Sequence, residues 1–462
     1  MTTKKFLNLV SLFALACCTM EPKYLKPQTQ VPLQEADKSK RKVATIAWQE
    51  YFETADLQRV IKLALENNRD LRVANLNIES AQATHGIVRS NLLPTINAVG
   101  SETRQGVPSA FAGFMPKRQF RANLTLTSYE VDFFGRLRSL KKSALEDFLA
   151  SEEARNVTRI SLISETVNAY TQYLLDSEVL KIAEENLKTQ EDRYKYSELR
   201  FKHGINSQTD LLAASAITET ARISYETYKK LVAKDKSALM LLTGVFDEIS
   251  LPQIKSVNEI KINEDLLDLV PSESLLARPD IQQAEHDLKS ANANIGAARA
   301  AFFPSITLSG NYGYASRDLS TLFDSKTWAF TPQISMPLFA GGRNINNLKL
   351  ADLRKKVEIA QYEKAIQTAF REVSDQLAER ESVRNQLKSY EEVVSFRKKY
   401  LDIFENKHVS GIGSAVDVLD AQVDWFTAQL NQANIKKEYI ANLVSLYKVL
   451  GGGNEVEDVE KK

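Results

Sequence analysis

The sequence predicts a mainly α-helical chain with a minor share of membrane-type β-strand, built as an internal tandem duplication. Three observations carry this expectation. Glycine (17) and proline (12) are scarce among 462 residues, so few positions force an element to stop. The two halves repeat each other at a nearly constant offset, and between the long uninterrupted segments lie stretches whose apolar residues recur at every second position. Length alone would allow about three domains; the duplication replaces that with two related halves.

The repeat comes first, because it sets the architecture. Residues 68–100 laid on 278–310 match at ten positions, among them Asp70/Asp280, Gly86/Gly296, Arg89/Arg299 and Pro94/Pro304. Further on, Gly135-Arg136 falls on Gly342-Arg343, Gly204-Ile205 on Gly411-Ile412, Ser207 on Ser414, Asp210 on Asp417 and Gly244 on Gly451. The spacing from Gly135 to Gly204 equals that from Gly342 to Gly411, 69 residues, and both turn glycines precede the closing glycine by 40. The expected organisation is a signal peptide at 1–17, an anchored N-terminal segment at 18–59 with a linker near 25–45, repeats at 60–264 and 265–453, and a disordered tail at 454–462.

Each repeat reads as a long helical hairpin. Arg136 to His203 and Arg343 to His408 hold no proline and almost no glycine, so each can run as one helix on the order of 100 Å long. Ile160, Ile163, Val167, Tyr170 and Leu174 form an apolar seam, and Ile366, Phe370, Val373 and Leu377 form its counterpart, spaced as in coiled-coil packing. Gly204 and Gly411 turn the chain into a second helix, which Gly244 or the Gly451-Gly452-Gly453 run then caps.

Between the helices the period changes to two. Trp328, Phe330, Ile334, Met336 and Leu338 alternate with small or polar residues, as do Ile306, Leu308, Tyr312 and Tyr314, and Phe120, Ala122, Leu124 and Leu126. The phase slips near Ser128 to Tyr129, Val131 and Phe133, as a β-bulge would produce. Hairpins are expected over about 95–133 and 305–339. Strands of about ten residues cross an outer membrane when tilted; taken singly, they would equally suit a small soluble sheet with one buried face.

Lys4 and Lys5 precede an apolar run from Phe6 to Ala16, short for a membrane span and suited to a signal peptide. The only two cysteines, Cys17 and Cys18, are adjacent, which excludes a disulfide framework. Small residues lead into them, which resembles a bacterial lipoprotein signal whose cleavage leaves a lipid-modified cysteine. Ala16 favours Cys17 for that role, while Leu15, Pro22 and Tyr24 favour Cys18. Sixty basic against fifty-nine acidic residues leave a net charge of +1, so no nucleic-acid footprint is present.

Four strands, two from each half, cannot close a membrane barrel, because an open edge in lipid leaves backbone groups unsatisfied at several kcal/mol each. Two copies would give eight strands, about the size that side chains fill, whereas three copies give twelve and a lumen. The fold expected is therefore a homotrimer: an outer-membrane β-barrel with four strands per chain, continued by a long periplasmic α-helical barrel.

At this point the sequence resembles the TolC-like outer-membrane efflux factors of the lipoprotein branch. The resemblance rests on Pro22-Lys23-Tyr24, Trp48 with Tyr51-Phe52, Ala64 to Leu71, Phe133-Phe134-Gly135-Arg136, Ala277 to Ile281, Pro337 to Arg343 and Gly411 to Ala421. It implies a conduit that docks on a periplasmic adaptor protein and an inner-membrane transporter and passes drugs or other small molecules outward. A type I protein-secretion channel would share the architecture; a soluble periplasmic coiled-coil scaffold is the reading from a different class.

No phosphate-cradling loop, His-Glu-x-x-His spacing or Gly-x-Ser-x-Gly elbow occurs, and His85, His203, His286 and His408 are dispersed; no enzyme, cofactor or metal is expected. The candidate site residues lie past the hairpin turns. Asp210 and Asp417 follow Ser207 and Ser414 by three, the spacing of capping boxes with Asp in place of Glu. In the family, acidic positions matching Asp210, Asp417 and Asp420 face the threefold axis, so the resemblance implies a periplasmic gate in which Asp417 and Asp420 concentrate negative charge. Where the best-known members carry a tyrosine before the turn glycine and an arginine after it, this chain has His408 and Gly413, so their latch does not transfer. His408 is read as a solvated loop histidine, with titration near neutral pH as the alternative. Gly135, Arg136, Gly342 and Arg343 mark the strand–helix junctions, the arginines either bonding backbone carbonyls at the bend or standing as plain surface residues.

Overall fold

The structure, a computed structural model, describes residues 19–27, 47–108, 117–246, 256–264, 266 and 272–452. The cysteines, the signal segment and the tail expected at 454–462 lie outside the described residues. Among the described residues, eight α-helices and four strands follow in order: α1 Trp48–Tyr51, α2 Ala55–Asn67, α3 Arg69–Ser90, β1 Ile96–Arg104, β2 Arg118–Val131, α4 Arg136–Lys202, α5 Gln208–Thr243, α6 Pro279–Ala300, β3 Ser305–Ser316, β4 Lys326–Ser335, α7 Arg343–Val409 and α8 Ala415–Val449. The duplication is plain in this order, since α4 and α7 each run 67 residues without a break. No described helix is long and apolar enough to cross a membrane.

The chain divides into two compact units. The first holds residues 76–153 and 282–364 with the N-terminal stretch up to 29, and its centre is one antiparallel sheet in the order β1-β2-β3-β4. Paired residues share a face, so the register reads out both surfaces. Leu124 pairs with Ala98 and Tyr312, and Tyr312 pairs with Trp328; Ile306 pairs with Ile334 and Leu308 with Pro332. These even-numbered residues make one continuous apolar face, while Asn97, Asn123, Asn311 and Ala329 begin the small and polar face behind it. The expected phase slip is a bulge between Leu126 and Tyr129, with Ser128 at φ 48°, and it brings Tyr129 and Val131 onto the apolar face opposite Leu308 and Ile306. Trp328 and Ile334 stand 75% and 72% exposed, and β1 is exposed along its whole length. Neither outer edge, β1 or β4, has a strand partner among the described residues.

The second unit, residues 30–75, 154–281 and 365–462, holds the main hydrophobic core. The predicted seam of α4 is buried from Ile160 to Leu174 and packs with Tyr51, Phe52, Leu57, Ile61, Leu239, Val444 and Tyr447. Tyr51 stacks on Tyr447 at 4.6 Å, and its hydroxyl donates to the carbonyl of Leu443 at 2.9 Å. The seam of α7 departs from expectation. Ile366 is buried and Phe370 and Val373 pack on the core, but Leu377 is 51% exposed. Further along α7, Val393, Phe396, Tyr400 and Ile403 form a second apolar stripe on a different face of the helix, all exposed, which none of the described residues covers, whereas Leu401, in phase with the first seam, is buried.

Candidate functional site

Both hairpin turns are built alike, and the sequence explains how. Gly204 and Gly411 sit at φ +70° and +77°, left-handed backbone that glycine adopts without a side-chain clash. Around Gly204, its amide bonds Phe201 O and that of Ile205 bonds Arg200 O; around Gly411, its amide bonds His408 O and that of Ile412 bonds Lys407 O. This Schellman arrangement satisfies the last carbonyls of α4 and α7 and reverses the chain. The same bonds recur where Gly451 and Gly452 meet Lys448 O and Tyr447 O.

The two turns differ in their acids. Ser207 and Asp210 form a complete capping box: the Asp210 amide donates to Ser207 Oγ and the Ser207 amide to Asp210 Oδ2, both at 3.1 Å. These bonds, the Ser207 side chain foremost, hold the Asp210 carboxyl below its usual pKa. In the second half, Ser414 Oγ accepts from the Val416 amide at 3.1 Å instead, and no capping box forms with Asp417. The capping expectation therefore describes Asp210 and fails for Asp417, since the Ser414 hydroxyl is taken one residue early. Asp417 and Asp420 are exposed, and their side chains make no hydrogen bond or ion pair among the described residues.

A cleft of about 580 Å³ lies between the two turns, with Arg193, Arg200, Asn206, Asp210, Glu405, His408 and Gly413 in its wall. Arg193 of α4 reaches Glu405 of α7 at 3.0 Å, tying one hairpin to the other. Burial lowers the Arg193 pKa, and the Glu405 carboxylate opposes that shift. Arg200 lies 5.6 Å from the Tyr196 ring. His408 is a partnered wall residue rather than a solvated loop histidine: its Nδ1 lies 3.1 Å from the Gly413 carbonyl, which fits an N–H donating to it. Neither Asp417 nor Asp420 borders the cleft; of the three acids past the turns, only Asp210 does. Sequence reading missed the Arg193–Glu405 link, because residues 212 apart carry no local signal of contact.

At the first strand–helix junction Arg136 does not bond carbonyls. It grips the Glu130 carboxylate with two bonds, at 2.9 and 2.6 Å, and Arg138 takes the role expected of it, donating to the carbonyls of Asp132 and Phe133 as well as to the Asp132 carboxylate. Arg343 is an exposed residue with no side-chain bond among the described residues, since no acid matches Glu130 in the second half. Gly135 and Gly342 both take positive φ there.

The description "Outer membrane efflux protein" belongs to a family model that matches residues 60–245 and 270–452. The probable efflux pump outer membrane protein TtgC of Pseudomonas putida is 40% identical over 474 residues, covering 98% of this chain and 96% of its own. Outer membrane protein OprJ of Pseudomonas aeruginosa is 35% identical, with 96% and 95% covered. The open-state MtrE outer membrane channel of Neisseria gonorrhoeae superposes with a TM-score of 0.84 at 34% identity, over 95% of this chain and 99% of that one. The sheet with two unpaired edges is thus one protomer's share of a trimeric β-barrel that is continued by an α-helical barrel. By the match across both repeats and by these relatives, the chain belongs to the outer membrane efflux protein family, the outer-membrane channels of efflux pumps.

Proposed function

We propose that the chain exports drugs or solvents as a passive conduit, receiving them from an inner-membrane transporter through a periplasmic adaptor. The observation that supports this most is the sheet: an apolar face that gives way to Glu102, Arg104, Arg118 and Lys326 only at the end far from the helices, a small and polar face behind it, and two open edges that only further copies can close in lipid. The relatives named for antibiotic and toluene efflux favour this cargo over secreted protein. The conduit carries no catalytic step, and energy comes from the transporter. The exposed stripe on α7 from Val393 to Ile403 is the surface that neighbouring protomers cover in this reading.

Asp417 and Asp420 are the gate acids in this reading, since they are the acids past the turns that no cap or ion pair engages. Asp210 contributes mainly as a cap. The Arg193–Glu405 pair holds the two hairpins of a protomer together in the state described here. A lipid on Cys17 or Cys18 anchors the mature N-terminus. Single-channel recording of the reconstituted Asp417→Ala/Asp420→Ala protein tests the gate: weakened cation preference and weakened cation block are expected, and unchanged values would end the assignment.

A further inference from the structure

The apolar face of the sheet finishes differently at its two ends. At the helix end it runs out in Val131, Ile306 and Ile334, none of them charged. At the far end Glu102, Arg104, Arg118 and Lys326 take even-numbered positions in register with Ala98, Leu124, Tyr312 and Trp328, and so stand on the same face. α3 and α6 enter the sheet, and α4 and α7 leave it, at the uncharged end, so the charged end is the one turned away from the periplasm.

Strand length sets the depth of these charges. From Val131 to Phe120 the face is apolar, on the order of 36 Å along β2 and about 28 Å along the membrane normal at a tilt of about 40°. That fills the apolar band of an outer-membrane barrel, about 25 Å tall, and leaves Arg104 and Arg118 among the outer-leaflet head groups. Lys326 reaches the same depth along its flexible stem. Trp328, beside it and exposed, belongs to the aromatic girdle of such an interface. Phe323, on the short 3-10 helix Leu319–Asp324 between β3 and β4, meets Tyr314 edge-on at 5.3 Å, which sets that turn over the same face with Leu319 exposed.

The bases outnumber what the chain supplies to neutralise them. Arg104 pairs directly with Arg118 across β1 and β2, like charges whose repulsion weakens a sheet. One carboxylate, Glu102, serves both, accepting from the Nε of each. The terminal nitrogens of both guanidiniums have no partner among the described residues, and the side chains are 70% and 50% exposed. Lys326 is exposed and makes no ion pair among the described residues. The two far-end loops add Lys117 and Arg317 against Asp318 and Asp324, so this rim keeps two bases in excess per chain. Closing the barrel sets β4 of one copy beside β1 of the next, since these are the open edges, and brings Lys326 of each copy to the arginine pair of its neighbour.

We propose that Arg104, Arg118 and Lys326 bind the phosphates of a phosphorylated glycolipid, the lipid A part of lipopolysaccharide, in the outer leaflet of the outer membrane. A guanidinium fork meets a phosphate with two bonds, and the phosphate supplies the countercharge that Glu102 alone does not. Phospholipid of the inner leaflet meets Val131, Ile306 and Ile334, where the face carries no base, which commits the site to the outer leaflet.

The test uses the full trimer in dioleoylphosphatidylcholine bilayers, with a chelator present and with lipid A carrying a nitroxide on an acyl chain as the probe. Contact quenching of tryptophan reads the rim, because Trp328 lies in the sheet whereas Trp48 and Trp425 lie on α1 and α8. Diphosphoryl lipid A selected on the order of tenfold over its dephosphorylated form, with the preference fading as salt rises, is the expected result. Arg118→Gln/Lys326→Gln should remove most of that preference, whereas Arg121→Gln, on the polar face of β2, should leave it intact. No preference for the phosphates, an unchanged preference in the Arg118→Gln/Lys326→Gln trimer, an equal loss in Arg121→Gln, or spin-labelled phosphatidylglycerol bound as tightly as lipid A would each overturn the proposal. If the double variant does not assemble, the wild-type preference decides: lost in about 1 M salt it supports the proposal, and retained there it overturns it.

Discussion

Replacing Gly296 with alanine tests how the strap formed by Thr19 to Pro27, which lies along α6, is held, and the duplication supplies its own control. A Cβ at position 296 would stand 2.5 Å from Ser139 Oγ and 2.9 Å from the backbone of Glu21, so the strap must lift. Lifting it strains three bonds, from Lys142 and Asn292 to Glu21 and from Asn292 to Pro22 O. At about 0.5–1.5 kcal/mol each, the carboxylate bonds being the stronger, the docked strap loses about 2 kcal/mol. Alanine also favours α6 over glycine by up to about 1 kcal/mol. The two effects oppose each other in global stability, so a melting temperature is the wrong assay. Trypsin cleavage after Lys23 reads the strap alone, since Lys26 precedes a proline and its bond resists. When opening is fast relative to cleavage, about 2 kcal/mol becomes about a 30-fold faster cut. Gly86, the repeat counterpart, has nothing within 4 Å of its added Cβ, and Gly86→Ala should leave the Lys23 rate unchanged. An unaltered rate in Gly296→Ala would refute the close-packed strap.

Gly411→Ala places a side chain on φ +77° and should lower the stability of the turn by about 1–2 kcal/mol, seen in thermal unfolding of the trimer. Ser207→Ala removes a complete cap and should cost about 1 kcal/mol, whereas Asp417→Ala, which breaks no bond, should leave unfolding unchanged. Burial, with the Asp176 carboxylate nearby, pushes the Asp235 carboxyl up to about 7. A carboxyl raised in the folded chain costs stability as pH climbs from its unfolded value of about 4, and the cost levels off above the folded value. Asp235→Asn should accordingly raise the melting temperature at pH ~8 and do so far less at pH ~4.

Local rules made much of the fold legible. The lack of glycine and proline between Arg136 and His203 gave the length of α4, and its seam from Ile160 to Leu174 is buried as read. The slip near Ser128 marked a true bulge, and Gly204 and Gly411 marked the turns. What stayed illegible depends on contacts between distant residues. The exposure of Leu377 could not be read from spacing, because the same 3–4 pattern serves a seam inside the chain and one facing another copy. Ser414 and Asp417 have capping-box spacing, but which amide the hydroxyl accepts is set by the local turn. Arg136 and Arg343 match across the repeat, yet only the first has an acid opposite it.

The central claim is that three copies of this four-stranded sheet close into an open conduit. Native mass measurement together with planar-bilayer recording on the same purified sample tests it most directly. A particle of three chains with discrete conductance steps is the result expected. A single chain that stays in solution without detergent and passes no current would contradict the account.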